Sequence, residues 1–134
     1  MTKTADLKAL SRLTDASFAA GQARMGTLRQ HEQLLRDRLA ALDAARKDRA
    51  AALSDASPEP DAALLAGADL MWHGWIETRR AALNAELSRN RVAQEAARAA
   101  LAVTFGRAQA AQDLLARARA VQIKAKSRRD DLAS

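Results

Sequence analysis

The only prolines in the chain, Pro58 and Pro60, sit inside Ser54-Asp55-Ala56-Ser57-Pro58-Glu59-Pro60-Asp61. A proline lacks the amide donor of a helix interior and pushes the residue before it out of the α region, so a helix running into this segment must end there. On either side the hydrophobic pattern is helical and unbroken, for about fifty residues before it and about sixty after it. Ser57 or Glu59 before a proline, or Asp61 ahead of Ala62, could each start the second helix. A linker this short favours antiparallel neighbours.

The first pattern follows alternating steps of three and four through Phe18, Gly21, Met25, Leu28, Glu32, Leu35, Leu39, Leu42, Arg46, Arg49 and Leu53, preceded by Leu7, Leu10 and Thr14. That narrow stripe is the seam of a coiled coil and not the broad face of a globular helix. A helix over about residues 5–53 follows, roughly 70 Å long at 1.5 Å per residue. Glu32 with Arg36 and Asp43 with Lys47 add support at i,i+4. Gly21 and Gly26 weaken its early part by about 1 kcal/mol each relative to alanine.

The return pattern, over about residues 62–130, opens with Leu64, Leu65, Leu70, Met71, Trp72, Trp75 and Ile76. It continues through Leu83, Leu87, Leu101, Phe105, Leu115 and Ile123. Between Leu87 and Leu101 the seam positions are Asn90, Gln94 and Ala97, which makes the middle thin and polar. Gly67 and Gly74, seven apart, fall on nearly one face. A break near either is the alternative to one continuous helix, which the strong helix formers around them favour.

The expected fold is therefore all-α, a single domain over residues 1–134. It consists of two long helices in an antiparallel coiled-coil hairpin, with the bend at 54–61 and the C-terminal helix longer. Pairing outward from a bend near residue 58 puts Leu7 opposite about residue 109, which leaves about twenty C-terminal residues unpaired at 3.6 residues per turn. Aromatics at 3% leave little for a compact core, and much of the 49% apolar content is alanine.

The net charge of +6 is unevenly laid out. Residues 54–78 carry five acidic side chains and no lysine or arginine, and both flanks are basic. A paired hairpin would be acidic at the bend and basic at the open end. The C-terminal overhang holds Arg117, Arg119, Lys124, Lys126, Arg128 and Arg129, with no acid between Asp113 and Asp130.

Chemistry finds little footing. No cysteine supplies a disulfide, thiolate ligand or nucleophile. His31 and His73 lack the spacing of a metal pair, Asp130-Asp131 sits where no pocket would shift its pKa, and no glycine-rich phosphate loop is present. We expect no enzyme activity, cofactor, metal or small-molecule substrate. The start lacks a signal-peptide core and no stretch approaches the roughly 20 apolar residues of a membrane span, so a cytoplasmic protein without membrane insertion is expected. The basic tail has no aromatic for base stacking, which argues against nucleic acid. Trp72, Trp75, Ile76 and Arg79 share neighbouring faces at the start of the return helix. Their two readings are a lock on the hairpin and an anchor for a partner, because tryptophan and arginine are enriched at interface hot spots.

With its Leu7, Leu10, Leu13 start, unbroken charged helix, short polar bend and return helix opening Trp72-His73-Gly74-Trp75-Ile76-Glu77-Thr78-Arg79-Arg80, the chain resembles the stalk proteins of flagellar and virulence type III export, the FliJ/YscO group. The likeness spans nearly the whole chain. Trp75 and Ile76 match that group's aromatic-isoleucine pair, Arg79 stands where a leucine is usual, and the tyrosines common at the end of the first helix are absent. The resemblance implies a stalk whose open basic end, Arg117 to Arg129, enters the ring of an export ATPase. A surface near the bend, around Trp72, Trp75, Ile76 and Arg79, would then meet an export-gate protein, with export chaperones as further partners, at the inner face of the export apparatus. The alternatives are a self-associating coiled-coil adaptor and a nucleic-acid binder acting through the tail.

Overall fold

A computed structural model of the chain describes residues 2–55 and 62–134, the side chains of Thr2 and of 62–64 excepted. The described residues form two α-helices, α1 (Thr2–Asp55, 54 residues) and α2 (Ala62–Ala133, 72 residues), and no strand. They make an all-α antiparallel hairpin with the longer helix second. Alanine, leucine and arginine favour helix throughout both spans, and neither contains a proline. α2 runs through Gly67 and Gly74 without a break, and no described residue has a positive φ. The bend proper, with its proline stop and the candidate caps Ser57, Glu59 and Asp61, lies outside the described residues.

The contacts between the helices gather into two compact units, Thr27–Gln94 on the one hand and Met1–Gly26 with Glu95–Ser134 on the other. In the Thr27–Gln94 unit, Leu35, Leu83 and Leu87 are buried against one another, with Leu39 and Leu42 packed on them. Ile76 is buried on the same seam. Asp43 pairs with Arg80 at 3.4 Å and Arg46 with Glu77 at 3.3 Å along its edge. The seam then turns polar. Asn90 Nδ2 donates to the Leu28 carbonyl at 3.0 Å, and Gln94 Nε2 donates to Glu32 Oε2 at 2.7 Å and to Asn90 Oδ1 at 2.6 Å. Both amides are buried, and no buried side-chain polar atom among the described residues lacks a partner. This network prevents the desolvation cost of an unpaired amide and fixes which residues face one another.

The other unit has a thinner core of Ser11, Met25, Ala108, Ala111 and Leu115. Small side chains let the helices approach. A Cβ on Gly21 would come within 2.9 Å of Leu101 Cδ1, so a side chain here would have to push the end of Leu101 aside. Phe18 and Phe105 meet with ring centroids 5.6 Å apart. Ser11, not Leu10, occupies the seam between Leu7 and Thr14, and Leu10 is 42% exposed. The four-then-three spacing decides which residue faces inward, and hydropathy does not overrule it.

The register also differs from the expectation. Leu7 lies beside Leu114, Ala118 and Val121, and not near residue 109. Asp43–Arg80 and Arg46–Glu77 place the mirror point of the pairing between residues 61 and 62, beyond the residue 58 assumed from the prolines. Each residue of displacement at the centre moves the partner by two. Among the described residues the outermost hydrogen bond between the helices is Gln122 Nε2 to Thr4 Oγ1 at 2.7 Å, and every residue of α2 beyond it is exposed, so the uncovered end is shorter than the sequence indicated.

Candidate partner-binding surfaces

In the Thr27–Gln94 unit, the four candidate residues at the start of α2 have different surroundings. Ile76 is 1% exposed and belongs to the seam with α1. Trp72 is half-buried, with the Arg49 guanidinium 5.1 Å from its ring centroid and the His73 ring edge-on at 5.1 Å. Arg49 also donates from Nε to Asp69 Oδ1 at 2.5 Å, and His73 Nε2 lies 3.4 Å from the other oxygen of Asp69. The hydrogen bond from Arg49, opposed by partial desolvation and aided by the charge of His73, holds the Asp69 carboxyl below its ordinary range. Trp72 is thus a lock between the helices, built from an arginine that serves an acid and an indole together.

Trp75 and Arg79 point outward. Trp75 is 58% exposed, and Leu70 and Met71 beside it are 75% and 78% exposed. The seam spacing explains this split, because Trp72 and Ile76 are four apart on the inner face while Met71 and Trp75 are four apart on the outer one. Leu70 and Met71, assigned by hydropathy to the return seam, belong to this exposed patch.

In the unit formed by Met1–Gly26 with Glu95–Ser134, an open groove of about 510 Å³ lies between the helices, with Leu7, Leu114 and Val121 along it and Lys3 and Arg117 at its rim. Arg117 therefore belongs to the paired part of α2. Arg119 is exposed, and Lys124, Lys126, Arg128 and Arg129 lie on the fully exposed turns beyond Gln122. Among the described residues, no group of three or more histidine, aspartate or glutamate side chains comes together in a way that could hold a metal ion. No helix among them is long and apolar enough to cross a membrane.

Sequence reasoning singled out both ends of α2 but missed the Arg49–Asp69 contact, which joins a seam arginine of α1 to an acid in the early turns of α2. No family model, curated protein or solved structure matches the chain.

Proposed function

We propose that the chain is an accessory stalk of a flagellar or type III protein-export ATPase. It engages the ATPase ring through the basic end of α2 and an export-gate component through the exposed start of α2 around Trp75. The observation that carries this reading is the stretch of α2 after Gln122, where Lys124, Lys126, Arg128 and Arg129 stand in solvent on a helix that α1 no longer covers. Cations held on a helix without a partner suit an acidic, partly enclosing surface, and would steer association in a salt-dependent way. At the other end of the same helix, an exposed indole beside Leu70 and Met71 supplies the apolar anchor typical of a binding hot spot. Such a stalk couples its partners by position and carries no chemistry of its own.

Pull-down with the export ATPase tests this. Removing residues 123–134 takes away the basic end and spares the buried Leu115 and the Gln122–Thr4 contact, so binding should be lost while helicity elsewhere is kept. Undiminished binding by the shortened chain overturns the role of the tail.

A further inference from the structure

In the unit formed by Met1–Gly26 with Glu95–Ser134, the seam is floored by short side chains, Thr4 and Thr14 of α1 and Thr104 and Ala118 of α2. On one flank they leave the space between the helices unfilled. The groove of about 510 Å³ beside Leu7 is one part of that space, and a second of about 220 Å³ lies beside Leu13, Ser17 and Arg107. Heptad steps put both on the same side. Leu10 stands seven residues from Lys3 and from Ser17, and Leu114 seven from Arg107 and from Val121, so each helix contributes one stripe to both grooves. Large apolar side chains stand open along it, Leu13 at 68% and Val121 at 67% exposed, with Leu10 and Leu114 also exposed. The opposite flank is closed by the Phe18–Phe105 contact and by Gln112 Nε2, which donates to Asp15 Oδ1 across the helices at 3.3 Å.

A strict seam of two apolar positions per heptad serves one neighbour, whereas a third apolar position per heptad is the pattern of a helix that packs on two. We propose that this flank takes a third helix, an acidic amphipathic helix of a partner protein, laid along both helices of the hairpin between Lys3 and Ser17. Leu7, Leu10 and Leu13 of α1 and Leu114 and Val121 of α2 receive its apolar side, as ridges enter grooves. The stretch is about 21 Å long at 1.5 Å per residue, which four turns of helix fill. A width of about 15 Å gives a footprint near 300 Å² on the hairpin. That is well below the ~800 Å² per partner of a standard interface, so the contact is weak and reversible.

Charge selects the occupant. Lys3 and Arg117 stand at the first groove and Arg107 at the second, and no acid lines either. Among the described residues none of these three cations is in an ion pair, in contrast to Arg46, Arg49 and Arg80, so their charge is open to a partner. Asp6, seven residues before Leu13, is the one acid on this flank of α1 and lies outside both grooves. Carboxylates along the edges of the partner's apolar stripe meet the cations at the rim, where they set orientation and the rate of encounter. A second copy of the chain presents the same cations and is repelled. The turns beyond Gln122 are no part of the site, so it stands whether or not the stalk reading does.

Fluorescence anisotropy with the full chain and a labelled synthetic peptide tests this. The peptide is a helix of about eighteen residues with leucine at heptad positions a and d and glutamate at e and g. It should bind saturably, and more weakly as salt rises. Leu13→Glu and, separately, Val121→Glu should each weaken binding about tenfold at unchanged helicity by circular dichroism. Both side chains are exposed, and either variant suffices if the other fails to fold. Arg117→Glu should weaken binding and narrow the preference over a peptide with lysine in place of glutamate. Absence of binding overturns the proposal, as does equal binding of the lysine peptide to the wild-type chain or indifference to the groove substitutions. Loss on removing residues 123–134 while those substitutions have no effect puts the contact on the tail and overturns it too. Phosphatidylglycerol vesicles should not displace the peptide, and displacement by them makes the groove a lipid site in place of a helix site.

Discussion

Arg49 ties the two helices together twice, once through the carboxylate of Asp69 and once over the ring of Trp72. Glu32 is in a similar position on the polar seam, where hydrogen bonds from Gln94 and Arg36 hold its carboxyl below the ordinary range. Because both folded-state values are depressed, the contribution of these carboxylates is present above the usual carboxylate range and is lost as pH falls through the folded values. Melting temperature should be nearly level from neutrality down to about pH 5 and fall below about pH 4. Asp69→Asn with Glu32→Gln should flatten that fall, which thermal melts across pH would register. The glycines of α1 offer a second test at this scale. Gly26 has nothing within 4 Å of a would-be Cβ, so Gly26→Ala should stabilise the fold by about 0.5–1 kcal/mol. Gly21→Ala should gain less, because its methyl group must displace the end of Leu101. Denaturant titration of the two variants separates the effects.

At the level of the helices, the seam was legible because its three-and-four rhythm persists through residues that hydropathy alone would reject. Glu32, Arg46, Arg49, Asn90 and Gln94 all fall on it, and the two amides are buried there. What could not be read was the residue that faces inward when two neighbours compete, as with Leu10 and Ser11, and the register. Register depends on where pairing is centred, and an error at the centre doubles in the partner, which is why Leu7 lines a groove with Leu114 and Ala118 and is not opposite residue 109. The polar layer is the device that sets that register. Asn90→Ala should lower stability by about 1–2 kcal/mol, since it removes the bond to Leu28 and leaves Gln94 with one partner fewer. Replacing Asn90, Gln94 and Glu32 together by leucine should keep or raise the melting temperature, because well-packed apolar residues need no buried partners. The same triple variant should lose uniqueness and show additional oligomers or registers in sedimentation.

For the whole molecule, the hairpin and the greater length of its second helix followed from prolines and periodicity. The partner surfaces were legible only as composition, since nothing in a run of leucine, methionine and tryptophan says which residues face a neighbouring helix. Trp72 and Ile76 turn inward and Met71 and Trp75 outward, a rotation set by the packing of Leu83 and Leu87 further along the same helix against α1. The two compact units differ in core substance. One is built on Leu35, Ile76, Leu83 and Leu87, the other on Ala108, Ala111, Met25, Ser11 and Leu115. The second also closes contacts between residues much further apart in sequence, such as Thr4 with Gln122. Less apolar area and longer closure both lower local stability. Amides of residues 3–25 and 96–121 should therefore exchange faster than those of 30–45 and 76–93, which hydrogen exchange followed by mass spectrometry would measure.

The chain contains no tyrosine, and both of its indoles, Trp72 and Trp75, lie in the Thr27–Gln94 unit. Near-ultraviolet emission from this protein is consequently a local signal. The indole half-buried under Arg49 and the one in solvent report on that unit alone, while Phe18 and Phe105 leave the other unit almost dark. An optical melt followed by emission tracks the loss of one half of the hairpin's packing, and only the backbone's own absorption records the rest.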